Sequence, residues 1–201
     1  MRQPTPTMKI LGIDPGYDRL GIALIEESPG QNSKIIYSAC LTSPRREIFA
    51  QRLYRLIDGV ETIIKRHRPD LLALEEIFFA SNRKTAMAVA EVRGALLYLA
   101  HKLSVPVINL TPLEVKISIT GYGQASKEQI KYMVERLLDF KKKRSLDDEV
   151  DALAIALAGA ARTASLYPVR NSSSEAGTTS NGVYPQLPRP AIAKKSRYAR
   201  K

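Results

Sequence analysis

The residues of this chain best suited to do chemistry are carboxylates set at the ends of apolar runs. Lys9 to Ile13 is a short apolar run, and Asp14 follows it just before Pro15-Gly16 turns the chain. Leu71-Leu-Ala-Leu is a second run and finishes in Glu75-Glu76. A third acidic group, Asp147-Asp-Glu-Val-Asp151, opens the last apolar segment. A lone strand-terminal aspartate commonly caps a turn, and acids in a first helical turn commonly complement the helix dipole. Three acidic sites in this order point instead to a shared site at the carboxyl ends of strands in an α/β sheet. Asp148 and Asp151, three apart, share a helix face. So do Asp147 and Asp151, four apart, and spacing alone leaves that register open.

Clustered carboxylates repel one another unless cations neutralise them. Hard oxygen donors suit Mg²⁺ or Mn²⁺. Two such ions roughly 4 Å apart activate a water and stabilise the leaving oxygen of a phosphodiester. The charge of the chain agrees with that substrate class. Its 201 residues carry a net charge of +11, and residues 160–201 alone hold eight Lys/Arg against one acid. A basic protein with a basic tail suits a polyanionic partner, most often nucleic acid.

The elements that must position these groups follow from periodicity. Three strands are predicted first, at Lys9–Ile13, Leu20–Glu26 and Lys34–Leu41, with a hairpin turn at Pro29-Gly30. Ser43-Pro44 offers an N-cap and an N1 proline for a helix over Arg46–Arg66, which Pro69 ends. Leu71–Glu76 reads as a buried strand. Ser81-Asn82 can cap a long helix over 83–103. Gly94 in its middle weakens that helix and predicts close approach of another one. Val105–Leu110 is the next strand. Thr111-Pro-Leu-Glu114 and Ser126-Lys-Glu-Gln129 are capping boxes, the second opening a helix over Ile130–Asp139. Lys141–Arg144 reads as a solvated basic loop, and the last helix runs from Asp147 to about Thr163. The order predicts an α/β fold, a five-stranded mixed sheet with helices on both faces. Hairpins favour its antiparallel start and helical crossovers its parallel end.

Composition bounds the rest. A hydrophobic content of 44% gives one domain room for a core, and the single cysteine, Cys40, rules out an internal disulfide. That suits a reducing cytoplasm. No apolar signal segment is seen at the N-terminus, and the longest apolar run, 152–161, is too short to span a bilayer. Residues 1–7 read as a loose leader, 8–163 as the folded domain and 164–201 as a basic tail expected to be disordered. His67 and His101 lie on helices away from the acids and read as surface residues.

Leu11-Gly-Ile-Asp14-Pro-Gly16, Leu74-Glu75-Glu-Ile-Phe78, Gly121-Tyr-Gly-Gln-Ala-Ser-Lys127 and Asp148-Glu-Val-Asp151-Ala-Leu-Ala154 resemble the motifs of the RuvC Holliday-junction resolvases. The resemblance covers about residues 8–161 in order and implies a ribonuclease-H-like fold. It implies a structure-selective endonuclease that resolves four-way DNA junctions by symmetric paired nicks in recombination and repair. By that resemblance Asp14, Glu75, Asp148 and Asp151 bind two Mg²⁺ ions, with Mn²⁺ as a substitute, and the pattern Asp-x-x-Asp-Ala-Leu-Ala selects Asp148 over Asp147. Lys116 and Lys127 match lysines at the active-site edge, Lys127 as a catalytic group. Phe78 matches an aromatic next to the DNA, and Arg83 and Lys84 are candidate phosphate contacts. A homodimer through the long helix, with Gly94, Ala86, Ala88, Ala90 and Ala95 at its contact, is also implied. So are the branch-migration partners RuvA and RuvB. The chain departs from the family at Tyr17, where many resolvases have Ser, and near Leu20. Asp18 adds an acid without an assigned role. A YqgF-type nuclease, a junction-binding protein that does not cut and an actin-like ATPase domain fit these motifs less well.

Overall fold

The computed structural model describes residues 7–28, 30–76, 83–140 and 147–166, and the side chains of all of these except 83–85 and 166. The strands are β1 (Met8–Asp14), β2 (Arg19–Glu27), β3 (Lys34–Thr42), β4 (Leu71–Glu75) and β5 (Val107–Leu110). The helices are α1 (Phe49–His67), α2 (Arg83–Lys102), α3 (Pro112–Thr120), α4 (Lys127–Leu137) and α5 (Asp147–Leu166). One sheet has the order β3-β2-β1-β4-β5. β1–β2 and β2–β3 pair antiparallel, and β1–β4 and β4–β5 pair parallel. This is the mixed five-stranded sheet that the sequence predicts.

The two faces separate by the period of two along each strand. Leu11, Ile13, Leu20, Ile22, Leu24, Leu72 and Leu74 meet Leu56, Val60 and Ile63 of α1 and Val92, Leu96 and Leu99 of α2. Ile10, Ala23, Ile25, Leu71 and Ala73 meet α5, with Val115 and Ile119 of α3 and Val134 of α4 beside it. Each fully buried Leu or Ile contributes about 1.5–3 kcal/mol.

α5 lies closer to the sheet than side chains would permit. A Cβ on Gly12 would stand 2.3 Å from the Ala152 carbonyl oxygen, and one on Gly21 would stand 1.9 Å from that of Asp148. On the helix side Gly159 is also tight, its absent Cβ 2.8 Å from that of Ala73. Close approach is thus a property of α5. Around Gly94 in α2 there is open space among the described residues, so no described helix of the same chain packs there.

Three local expectations also change. Ser43 does not cap α1, whose N-cap is Ile48 with no side-chain bond. Ser43 is buried instead. Its hydroxyl donates to the Tyr17 carbonyl at 3.1 Å and accepts from Arg52 Nε at 2.9 Å, so the β1–β2 turn claims it. The second capping box, Ser126 with Gln129, forms, and its helix starts at Lys127 rather than Ile130. β5 begins at Val107, because the Val105 N–H turns back to Ala100 and Pro106 has no N–H to give. The Thr111–Glu114 box forms as expected, and α3 ends at Gly121 with φ 71°. The predicted cap at Ser81-Asn82, the basic loop 141–144, the leader before residue 7 and the tail beyond 166 lie outside the described residues.

Candidate active site

One transverse row of the sheet builds the site. Ile13 pairs with Leu74, so Asp14 and Glu75 are the next residues of two parallel neighbours. Asp14 also pairs with Gly21, and Gly21 with Cys40. Ile10, Gly12 and Asp14 alternate onto the α5 face, as do Leu71, Ala73 and Glu75. Both carboxylates therefore emerge at the same sheet edge, under the first turn of α5. Gly21 lets that turn settle on the row, since the Asp148 carbonyl fills the space a side chain would need.

The acidic run at the start of α5 divides by direction. Asp147 is exposed. Glu149 is buried and accepts a 2.5 Å hydrogen bond from Ser38 on β3. Asp148 and Asp151 are half-buried, and their charges act on Asp14. Burial first, then the charges of Asp151 and Asp148, pushes the Asp14 carboxyl up to about 7. Burial, then Asp14 and Asp151, pushes Glu75 up to about 7 as well. Asp151 is also raised, chiefly by burial. Lys127 opposes all three shifts, with Nζ 3.6 Å from Asp151 Oδ2.

A second cation sits on the other flank. Arg19, at the start of β2, forms an ion pair with Asp148, and the Cys40 thiol lies 3.8 Å from the same carboxylate. Among the described residues no three His, Cys, Asp or Glu side chains stand together in metal-ligand geometry. The donor set itself fits a hard divalent cation, being made of carboxylate oxygens, of which those of Asp14, Glu75 and Asp151 have their proton affinity raised by burial and neighbouring charge.

The other expected site residues are less central. Lys116 is half-buried in α3 and makes no ion pair among the described residues, though its carbonyl accepts from Thr120. Arg83 and Lys84 open α2, with their side chains outside the described residues, and Phe78 also lies outside them. His101 is exposed, whereas His67 is half-buried against Tyr37 with ring centroids 5.6 Å apart.

Sequence reasoning missed Arg19 and left Asp18 without a role. Asp18 is structural. It pairs with Arg45 at 3.0 Å and with Arg52, which is only 4% exposed and stacks 3.8 Å over the Tyr17 ring. Tyr17 in turn stacks on Phe49 at 5.1 Å. This anchors the turn that directly follows Asp14. The missed signal was glycine inside apolar strands at 12 and 21, which marks close backbone approach.

Comparison with known proteins agrees with this geometry. The family model for crossover junction endodeoxyribonuclease RuvC matches residues 10–159. The crossover junction endodeoxyribonuclease RuvC of Moorella thermoacetica is 43% identical over 150 residues, 75% of this chain and 89% of that protein. The structure of Thermus thermophilus RuvC in complex with Holliday junction substrate superposes with a TM-score of 0.73 at 32% identity, covering 77% of this chain and 94% of that one. The yeast mitochondrial Holliday junction resolvase Ydc2 shares the fold, with a TM-score of 0.63 at 18% identity over 84% of each chain. The chain belongs to the RuvC family of crossover junction endodeoxyribonucleases.

Proposed function

We propose that this chain resolves four-way (Holliday) DNA junctions by paired symmetric nicks, with Asp14, Glu75, Asp148 and Asp151 as the metal-binding catalytic carboxylates. The observation that carries this reading is the pair Asp14 and Glu75. They sit side by side at one sheet edge, both held near 7 by burial and by neighbouring carboxylates. Two Mg²⁺ ions, or Mn²⁺ in their place, would supply charge neutralisation, an activated water and stabilisation of the leaving oxygen. The protein's own share is to hold the four carboxylates on rigid elements, two on strand ends and two on the first turn of α5. Lys127 adds a positive charge beside Asp151, where a phosphate's developing charge is stabilised. Lys116, Phe78, Arg83 and Lys84 are assigned to DNA contact on the strength of the motif resemblance.

Symmetric cutting needs two sites, and a homodimer supplies them. The outer face of α2 suits that contact, with Met87 68% and Tyr98 71% exposed and Gly94 between them. Residues 8–163 form the nuclease unit in this reading, and the family match over 10–159 supports those bounds. The basic residues beyond 164 add salt-sensitive DNA affinity. RuvA and RuvB are the branch-migration partners, and the location is cytoplasmic. No helix among the described residues is long and apolar enough to cross a membrane.

The test is to map the cuts. Wild-type protein with Mg²⁺ should nick a synthetic four-way junction at paired symmetric positions and leave linear duplex intact. Equal cutting of plain duplex would contradict junction selectivity. Binding without cuts would show a junction-binding protein instead.

A further inference from the structure

The carboxylates are flanked by cations on two sides. The α4 side carries Lys127. The other side carries arginines that the proposed mechanism does not use. Arg19, 45% exposed, pairs with Asp148. One residue earlier, Asp18 pairs with Arg45, whose side chain is 84% exposed, and Arg46 beside it is exposed as well. The segment holding Arg45 and Arg46 is tied to the turn after Asp14. The Ser43 N–H donates to the Asp18 carbonyl at 3.3 Å, and the Ser43 hydroxyl donates to that of Tyr17. Buried Arg52 clamps the same turn through Asp18, Ser43 and the Tyr17 ring. The Arg19 and Arg45 guanidinium groups thus pair with Asp148 and Asp18 around the turn after Asp14, and exposed Arg46 follows Arg45 in the chain to form a basic ledge there.

We propose that Arg45 and Arg46, continuing the line begun by Arg19, form a second phosphate-contacting surface that seats a DNA strand as it leaves the carboxylate row. Guanidinium groups bind phosphate in a planar, two-pronged geometry, and their charge acts through counterion release. Arg45 is held by an exposed carboxylate that a phosphate replaces without burying an unpaired charge. Anchoring through Arg52 keeps the ledge in place, so little ordering is needed on binding. In this proposal one strand runs from Lys127, beside Asp151, past Arg19, beside Asp148, to Arg45. The proposal rests on the reading of the carboxylates as the cutting site for its direction, and not for the existence of the contact.

The experiment compares full-length wild type with Arg45→Gln/Arg46→Gln. Binding of a labelled four-way junction is measured across salt concentrations in EDTA, so that no strand is cut. Lys65→Gln/Arg66→Gln removes the same charge at the far end of α1. That helix has 19 residues and is about 28 Å long. The ledge variant should bind about tenfold more weakly, with the slope of log K against log salt reduced by about 1.8. The far-end variant should match wild type. Unchanged binding and slope in the ledge variant, or an equal drop in both variants, would overturn the proposal. Asp14→Asn, tested for cutting with Mg²⁺, reports on the carboxylates separately. If Asp14→Asn still cuts while the ledge variant loses binding, the ledge stands and the catalytic reading falls.

Discussion

Gly21 lies directly against the backbone carbonyl of Asp148, with room for no Cβ: one placed there would stand 1.9 Å from that oxygen. A glycine in β2 therefore sets how closely α5 approaches Asp14, its partner across the β1–β2 ladder. Gly21→Ala should push the first turn of α5 off the row. The expected cost is roughly 1–3 kcal/mol, from overpacking. Junction cutting should fall more than junction binding. Gly94→Ala, at a position open among the described residues of the protomer, should instead add up to about 1 kcal/mol of helix stability to the protomer. Urea unfolding and a nicking assay read both variants.

The metal-free protein should lose stability as pH rises. Asp14 and Glu75 ordinarily titrate at 3.8 and 4.5, and the fold raises each to about 7. Between those values the folded state holds protons that the unfolded state has released. Their stabilising effect is complete below about pH 4 and is lost by about pH 7. Asp14→Asn removes one such group. It should flatten the decline and be more stable than wild type above neutrality by roughly 1–3 kcal/mol. Urea midpoints against pH in EDTA give the answer, and a wild-type midpoint rising from pH 4 to 7 would refute it.

Lys127 should tune the pH profile as well as the rate. Its charge lowers the proton affinity of Asp14, Glu75 and Asp151. In Lys127→Ala those carboxyls shift further upward, so the rising limb of the pH–rate curve should move to higher pH. Cutting at neutral pH should drop about 100-fold. Lys127→Arg should keep the limb near its original position.

Arg52 should matter through the turn it clamps. It is 4% exposed, pairs with Asp18, donates to Ser43 and stacks on Tyr17. Arg52→Ala removes that packing and leaves its partners unmatched, at a cost of about 2–4 kcal/mol. A double-mutant cycle with Asp18→Asn should show coupling of about 1 kcal/mol or more. Additive effects would mean that Asp18 does not take part in the clamp.

Dimer formation should fail when the outer face of α2 is charged. Tyr98 is 71% exposed and lies on the side of α2 away from Val92, Leu96 and Leu99. Tyr98→Glu should shift sedimentation from dimer to monomer while leaving the thermal melt of the protomer intact. A dimer that persists would place the contact elsewhere.

The elements, their order along the chain and the strand-end position of Asp14 and Glu75 could be read from the sequence, because apolar runs ending in acid announce both the strand and its exit. The pairing of β1 with β4 that brings the two acids to one edge is a long-range contact. The capping boxes at Thr111 and Ser126 were equally plain, since capping is a local interaction. What the sequence did not disclose was long-range competition for side chains. Ser43 has the form of a helix cap, yet a turn 26 residues earlier takes its hydroxyl. Asp18 looks like one more acid near the site, until a buried Arg52 from α1 meets it. Gly94 suggests close packing from its type alone, while within the protomer the tight contacts fall at Gly12 and Gly21, where strand backbone meets α5 backbone, and at Gly159, where α5 meets the Ala73 side chain. Glu149, one residue from Asp148, turns away from the site and takes a hydrogen bond from Ser38, 111 residues away, a partner that the sequence does not announce.

The most direct measurement is a nicking assay on a synthetic four-way junction with Mg²⁺, wild type against Asp14→Asn, with junction binding followed in parallel. Paired cuts by wild type that vanish in Asp14→Asn, with binding retained, are the predicted result. Cutting that survives the substitution would contradict the assignment of this carboxylate row as the active site.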